Sequence, residues 1–301
     1  MDDSQGDAAS GEGLTSFALA YHRGQTLDPL LCDEGAQAQL ASLLYEPLFL
    51  LDESFTPQPW LCESYTVSED GLTYTLTIRQ NVSFSDGSSL SAADAAASLR
   101  RAMDAPRYAA RLSDIQSVSA TGAGQVRITL RAANSGLTAL LDIPVVKEGT
   151  ESDAVPVGTG PYLYITDGSS VYLTANSSWW RGETLPLERI ELVEAKDAET
   201  VQHLFTSRSI HLYATDLTGD SATLTGKLDC MDTPTTVMHF LGINTGNELL
   251  ADSALRRALS AGISRSTLVE GYLSGHGEAA EFPLPPSAAD YPEGLGKSYS
   301  Y

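Results

Sequence analysis

Between Gly71 and Met103 the sequence moves from a two-residue apolar alternation to a helical pattern, with a turn in between. In GLTYTLTIR (71–79) the residues Leu72, Tyr74, Leu76 and Ile78 share one face and threonines the other, which is the pattern of a half-buried strand. Ser85-Asp86-Gly87-Ser88 reads as a turn. Ser91 is followed three residues later by Asp94, a capping-box-like start for a helix, AADAAASLRRAM, that runs to about Asp104-Ala105-Pro106. A chain that uses both periods so closely is neither all-helical nor all-β. The remaining segments carry the same mixture. LTSFALAY (14–21), VRITLRA (126–132) and IELVEAK (190–196) read as strands, and LYITDGSSVYLTAN (163–176) reads as a hairpin around Asp167-Gly168. Helices are expected at Ala36–Leu44, Leu137–Leu141, 197–208 (with Val201, Leu204 and Phe205 inward), Leu255–Ile263 and Ser266–Leu273. MHFLGI (238–243) is short and apolar enough for a buried strand, broken by Asn244-Thr245-Gly246. No period of 20–50 residues recurs, so a solenoid is excluded. The fold class is α/β, mixed α+β.

Charge and motif content remove several functions. The 39 carboxylates against 18 Lys and Arg give a net charge of −21, so no basic stripe is present to release counterions from nucleic acid. No run reaches the roughly 18 apolar residues needed to span a bilayer. Residues 1–13, MDDSQGDAASGEG, lack a basic start and an apolar centre and read as a flexible tether. Cys32, Cys62 and Cys230 form no CxxC pair; one disulfide with a spare thiol and three isolated thiols both stay open. GxSxG and HExxH are absent, and His22, His203, His211, His239 and His276 are scattered. His203 and His211 are expected at a core edge or helix surface, and His239 in the interior. No catalytic residue, metal site or cofactor is expected. VPVGTGPY (155–162) does not continue as a dinucleotide fingerprint, because Leu163 stands where the third glycine is needed and a hairpin follows instead of a helix.

The order of the motifs is more specific than any one of them. YEPLFLLDESFTPQPWLCESYTVSEDGLTYTLTIRQNVSFSDGSSLSAADAAASLRRAM (45–103) resembles a long signature of the bacterial extracellular solute-binding proteins of family 5, the peptide- and nickel-type binding components of ABC importers. The resemblance continues through VPVGTGPY, ANSSWWRGETLPLERIEL (175–192), MHFLGINTG and 252–286. It implies a periplasmic-binding-protein-like type II lobe with a mixed sheet and flanking helices. Residues 14–45 and 155–245 would form the main part of the first lobe, with 46–154 as an inserted subdomain. Residues 246–301 would form the hinge and the opening of a second lobe that is incomplete at KSYSY. The implied function is extracytoplasmic capture of a solute, peptide above all, for delivery to the transmembrane permease subunits. The protein would be periplasmic or a surface lipoprotein, anchored through a lipid on a cysteine outside this sequence. Nickel complexes, oligosaccharides and other small solutes remain open. So does a different class, a protein-interaction module with no solute.

By position in the resemblance, the loop after the first strand should face the cleft: Arg23 to pair with a carboxylate, Gly24 to let backbone approach the solute, and Gln25 and Thr26 beside them. An exposed loop with a solvated arginine is the equal alternative. Thr159 is a minor ligand candidate, because GTGPY reads mainly as structure, its glycines permitting the backbone angles. Asn244 and Thr245 should mark the hinge between lobes, with Asn244 also near ligand; an ordinary turn is the alternative. Trp179 and Trp180 read as packing rather than as a stacking platform.

Overall fold

A computed structural model of the chain describes residues 17–32, 35–214 and 228–292. The expected tether at 1–13 lies outside them. In chain order the elements are β1 (Phe17–Tyr21), α1 (Ala36–Leu44), β2 (Glu46–Pro47), β3 (Phe49–Leu51), β4 (Pro57–Pro59), β5 (Cys62–Val67), β6 (Thr73–Ile78), α2 (Ala92–Asp104) and α3 (Pro106–Ala109). There follow β7 (Ile115–Ala120), β8 (Gln125–Leu130), a 3₁₀ turn at Leu137–Leu140, and β9 (Pro144–Val145). The chain continues with β10 (Tyr162–Asp167), β11 (Ser170–Ala175), β12 (Arg189–Glu194), α4 (Ala198–Thr206), α5 (Ser253–Ala261) and α6 (Arg265–Tyr272). The chain divides into two compact units, 1–49 with 59–214, and 50–58 with 215–301.

Two four-stranded sheets organise the first unit. One has the order β1-β12-β11-β10 and is mixed: β1 runs parallel to β12, and the hairpin β10–β11 joins antiparallel. Its Leu19, Leu173, Ile190 and Leu192 pack with Leu40, Ala41 and Leu44 of α1. The other sheet, β5-β6-β8-β7, is antiparallel. Its buried Tyr74, Leu76, Ile78, Val126 and Ile128 cluster with Ala92, Ala95, Ala96, Leu99 and Ala102 of α2. The alanines lack long side chains, so that face of α2 can lie close to the sheet.

Helix α2 begins as the sequence reads. The N–H and Oγ of Ser91 both donate to one oxygen of Asp94, at 2.9 and 2.6 Å, and the other oxygen accepts the N–H of Glu148 at 3.0 Å. Asp94 therefore holds its own helix start and a distant loop together. Asp94→Ala is expected to cost about 1–3 kcal/mol, because it removes the cap and leaves the Glu148 N–H without its acceptor. Denaturant unfolding would measure it, and a loss below about 0.5 kcal/mol would show that water replaces both contacts.

GTGPY crosses the C-terminal end of α1. The Gly160 N–H donates to the carbonyl of Leu44 at 3.0 Å, supplying one of the partners that a helix end lacks. Neither Gly158 nor Gly160 has a positive φ. The expectation that these glycines serve backbone angles is therefore corrected: they serve close approach. A Cβ on Gly158 would lie 2.2 Å from the Leu44 carbonyl oxygen, and one on Gly160 2.5 Å from that of Leu43. The buried Tyr45 hydroxyl, pushed up in pKa by burial and so neutral, donates to the Pro156 carbonyl beside them at 2.8 Å.

In the second unit α5 and α6 are capped by Asp252 and Ser264 but bury no residue. The expected strand at 238–243 is not formed: Phe240 is 77% exposed and Leu241 67%. A strand is held by ladder partners, and no backbone hydrogen bond reaches these residues among those described. His239 accordingly lies on the surface, not in the interior. His211 does sit at a sheet edge, where its Nδ1 accepts the N–H of Ala18 at 2.9 Å. No disulfide joins the cysteines: Cys32 and Cys62 are buried and Cys230 is exposed. Burial pushes the Cys62 thiol up to about 12, so it stays protonated.

Candidate functional site

The four residues after β1, His22 to Gln25, edge a cavity of about 220 Å³ in the first unit. It opens beyond the C-terminal end of the parallel pair β1–β12 and beside the β10–β11 turn. Open α/β sheets place ligands at that end, because the loops leaving parallel strands gather there. Tyr21, Leu27, Val155, Tyr164 and Val171 give the wall its apolar part, and Arg23, Gly24, Gln25, Gln37 and Thr166 its polar part.

The loop is held tightly. His22–Gln25 is a turn in which the Gln25 N–H donates to the His22 carbonyl at 3.3 Å. Gly24 occupies its third place with φ +80°, and a Cβ there would meet nothing within 4 Å, so backbone angle alone selects glycine. Gln37 of α1, 1% exposed, closes the loop from beneath. Its Oε1 accepts the His22 N–H at 2.9 Å, and its Nε2 donates to the carbonyls of Gln25 and Thr26, each at 3.4 Å. The His22 Nδ1 lies 2.7 Å from the Ala195 carbonyl, which only accepts, so that nitrogen carries the hydrogen. Thr26 Oγ1 accepts the N–H of Asp28 at 3.0 Å. Asp28 is fully buried, accepts the Leu30 N–H at 3.0 Å, and pairs with Arg101 of α2.

Arg23 projects from this fixed turn. Its Nε lies 3.2 Å from the Tyr21 hydroxyl and 2.9 Å from Glu194 Oε2, with the two charged side chains 57% and 50% exposed. Both contacts raise the arginine's pKa, with Tyr21 the larger influence, so the charge is permanent. The arrangement can hold an anionic group beside main-chain groups and a tyrosine-lined wall. Among the described residues no group of three His, Cys, Asp or Glu is placed to hold a metal.

The structure brings Arg23, Gly24 and Gln25 to the cavity wall but not Thr26, whose hydroxyl accepts the Asp28 N–H and whose carbonyl accepts from Gln37. It does not bring Thr159 there. That side chain is fully buried and donates to Glu46 at 2.8 Å, which corrects its candidacy as a ligand contact. Asn244 and Thr245 are exposed in a local turn, where Asn244 Oδ1 accepts the N–H of Gly246 at 2.9 Å. The sequence reading missed Gln37, Glu194, Tyr164 and Thr166. A lone glutamine in a helix and an acid at a strand end carry no local signal of this role.

It also missed Glu46, which is 4% exposed. Its Oε1 accepts the indole N–H of Trp60 at 2.9 Å and of Trp179 at 3.1 Å, and its Oε2 that of Trp180 at 2.8 Å. With Thr159 this makes four donors on one carboxylate. Trp179 and Trp180 are thus packed and bonded inward. A wider cavity of about 570 Å³ lies over Trp180, but its wall mixes Arg79 and Arg181 with Glu63 and Glu183. No single ligand charge is favoured there.

Comparison with known proteins shows the family and the fold. The sequence profile described as "Bacterial extracellular solute-binding proteins, family 5 Middle" matches residues 56–301. The glutathione-binding protein GsiB of Escherichia coli K12 is 28% identical over 281 residues, covering 88% of this chain and 55% of its own length. Among solved structures, HbpA2 from Haemophilus parasuis superposes with a TM-score of 0.73 at 21% identity, covering 95% of this chain and 64% of its own. The oligopeptide-binding protein AppA from Bacillus subtilis, solved with a nonapeptide, gives 0.61 at 20% identity, covering 95% and 61%. The chain therefore spans a little over half the length of the relatives it matches.

Proposed function

Because the chain belongs to the bacterial extracellular solute-binding proteins of family 5, we propose that it captures a short peptide outside the cytoplasm for an ABC importer. The cavity at the end of β1 is the observation that carries this reading. It joins an arginine, fixed main chain and the last strand of a sheet, β10, whose Tyr164 and Thr166 line the wall. A peptide main chain can pair with an edge strand without regard to its side chains. GsiB is named for a peptide, and AppA was solved with one, which favours peptide over nickel complex or sugar.

On this reading the protein binds rather than transforms its ligand. The sheet-bearing unit is part of the first lobe, and the described helices after 250 belong to a second. Asn244 and Thr245 lie on the connection that bends as the lobes close, and closure is biased by ligand, because full contact exists only when both lobes meet it. Partners are the permease subunits, and a lipid anchor is the expected attachment to the membrane.

Calorimetric titration of the full-length protein with reduced glutathione and with tri-alanine tests the reading. One-site saturable binding of at least one is expected. Arg23→Ala should weaken it about tenfold or more, the scale of a lost charge-assisted hydrogen bond. Saturable binding of another solute with no heat from either peptide would overturn the peptide class.

A further inference from the structure

On a chain with 39 carboxylates, the wall of the 220 Å³ cavity contains none among the described residues, while it does contain Arg23. The nearest acid to that guanidinium is Glu194, which touches Arg23 but lies outside the wall. Glu194 is the last residue of β12 and stands opposite Tyr21, the last residue of β1, in the parallel register. Its backbone is thus fixed by the sheet, while its side chain is half exposed and free to turn into water.

We propose that Glu194 is a specificity-determining residue: it neutralises Arg23 in the empty site and yields that position to the carboxylate of an entering solute. This rests on the solute-binding reading above and adds the chemistry of the ligand. The step is an exchange of one anion for another, with no covalent change. An exposed pair contributes little, so the exchange lies near balance and a carboxylate with further contacts to the wall wins it. A neutral or cationic end gains nothing from the exchange and leaves Glu194 in place. The site is therefore biased towards anionic ligand ends by an acid that a ligand can displace, and Gln37 keeps the turn set so that only side chains move.

The test compares tri-alanine with its C-terminal amide on the full-length protein, unaltered and as Glu194→Gln. The unaltered protein should prefer the acid. Glu194→Gln should tighten the acid about two- to fivefold, the scale of a half-exposed pair, and leave the amide unchanged. It should also make acid binding weaken with added salt, because a bare guanidinium then meets the ligand charge. Arg23→Met should abolish the preference in both backgrounds. An unchanged acid-to-amide ratio in Glu194→Gln, with peptide binding intact, overturns the proposal and leaves peptide capture standing. Loss of fold, read by circular dichroism, would shift acid and amide together and is separated by that ratio. No binding of either peptide to the unaltered protein overturns the parent reading and this one with it.

Discussion

Glu46→Ala is expected to lower the stability of the first unit by about 3 kcal/mol or more. Buried donors without an acceptor cost about 1–3 kcal/mol each, and this change strips four at once. The fully buried Thr159 hydroxyl cannot turn to water, whereas the three indoles are only partly covered and recover some of their loss. The total therefore falls short of a simple sum. All three tryptophans of the chain donate to this one carboxylate, so intrinsic fluorescence reports the network directly. A red-shifted emission should accompany the lowered denaturation midpoint. Trp179→Phe, which removes one donor and keeps the acceptor, should cost only about 1 kcal/mol. Equal losses in the two variants would show that Glu46 is not the centre of the network.

Gly158→Ala should be comparably severe for a different reason. The new Cβ would stand 2.2 Å from a backbone oxygen and 2.5 Å from the Tyr45 ring, and a backbone oxygen cannot swing aside as a side-chain tip can. GTGPY or the end of α1 must move, taking the Gly160–Leu44 hydrogen bond with it, and overpacking of this kind costs about 3 kcal/mol. Gly168→Ala is the control. That glycine sits in the β10–β11 turn at φ +59° with nothing within 4 Å, so only backbone strain of about 1–2 kcal/mol is expected. Thermal unfolding of the two variants separates the causes, and similar midpoints would mean that close approach is not what selects Gly158.

Neither feature was visible in the sequence, although neighbouring ones were. The bounds of α1, the capped start of α2 and the hairpin at Asp167-Gly168 rest on contacts within a few residues. The threonine-faced strand β6 has its ladder partner β8 about 50 positions on, but carries its face in a two-residue alternation. Their signals are therefore periodic or local. The apolar run at 238–243 failed by the same logic: it had the local signal of a strand but no ladder partner among the described residues.

What sequence determined alone was a part of the elements, among them α1, α2, β6 and the β10–β11 hairpin, and, through the order of its motifs, the family. What tertiary structure decided was which distant groups meet. Glu46 reaches Trp180 across 134 positions, and Gln37 holds a loop 11 to 15 residues away from it in the chain. Thr159 was turned inward, and Arg23 was left facing a cavity without acids among the described residues, for the same physical reason. Periodicity fixes which face of an element is buried, but only packing fixes what that face, or the loop beyond it, finds opposite.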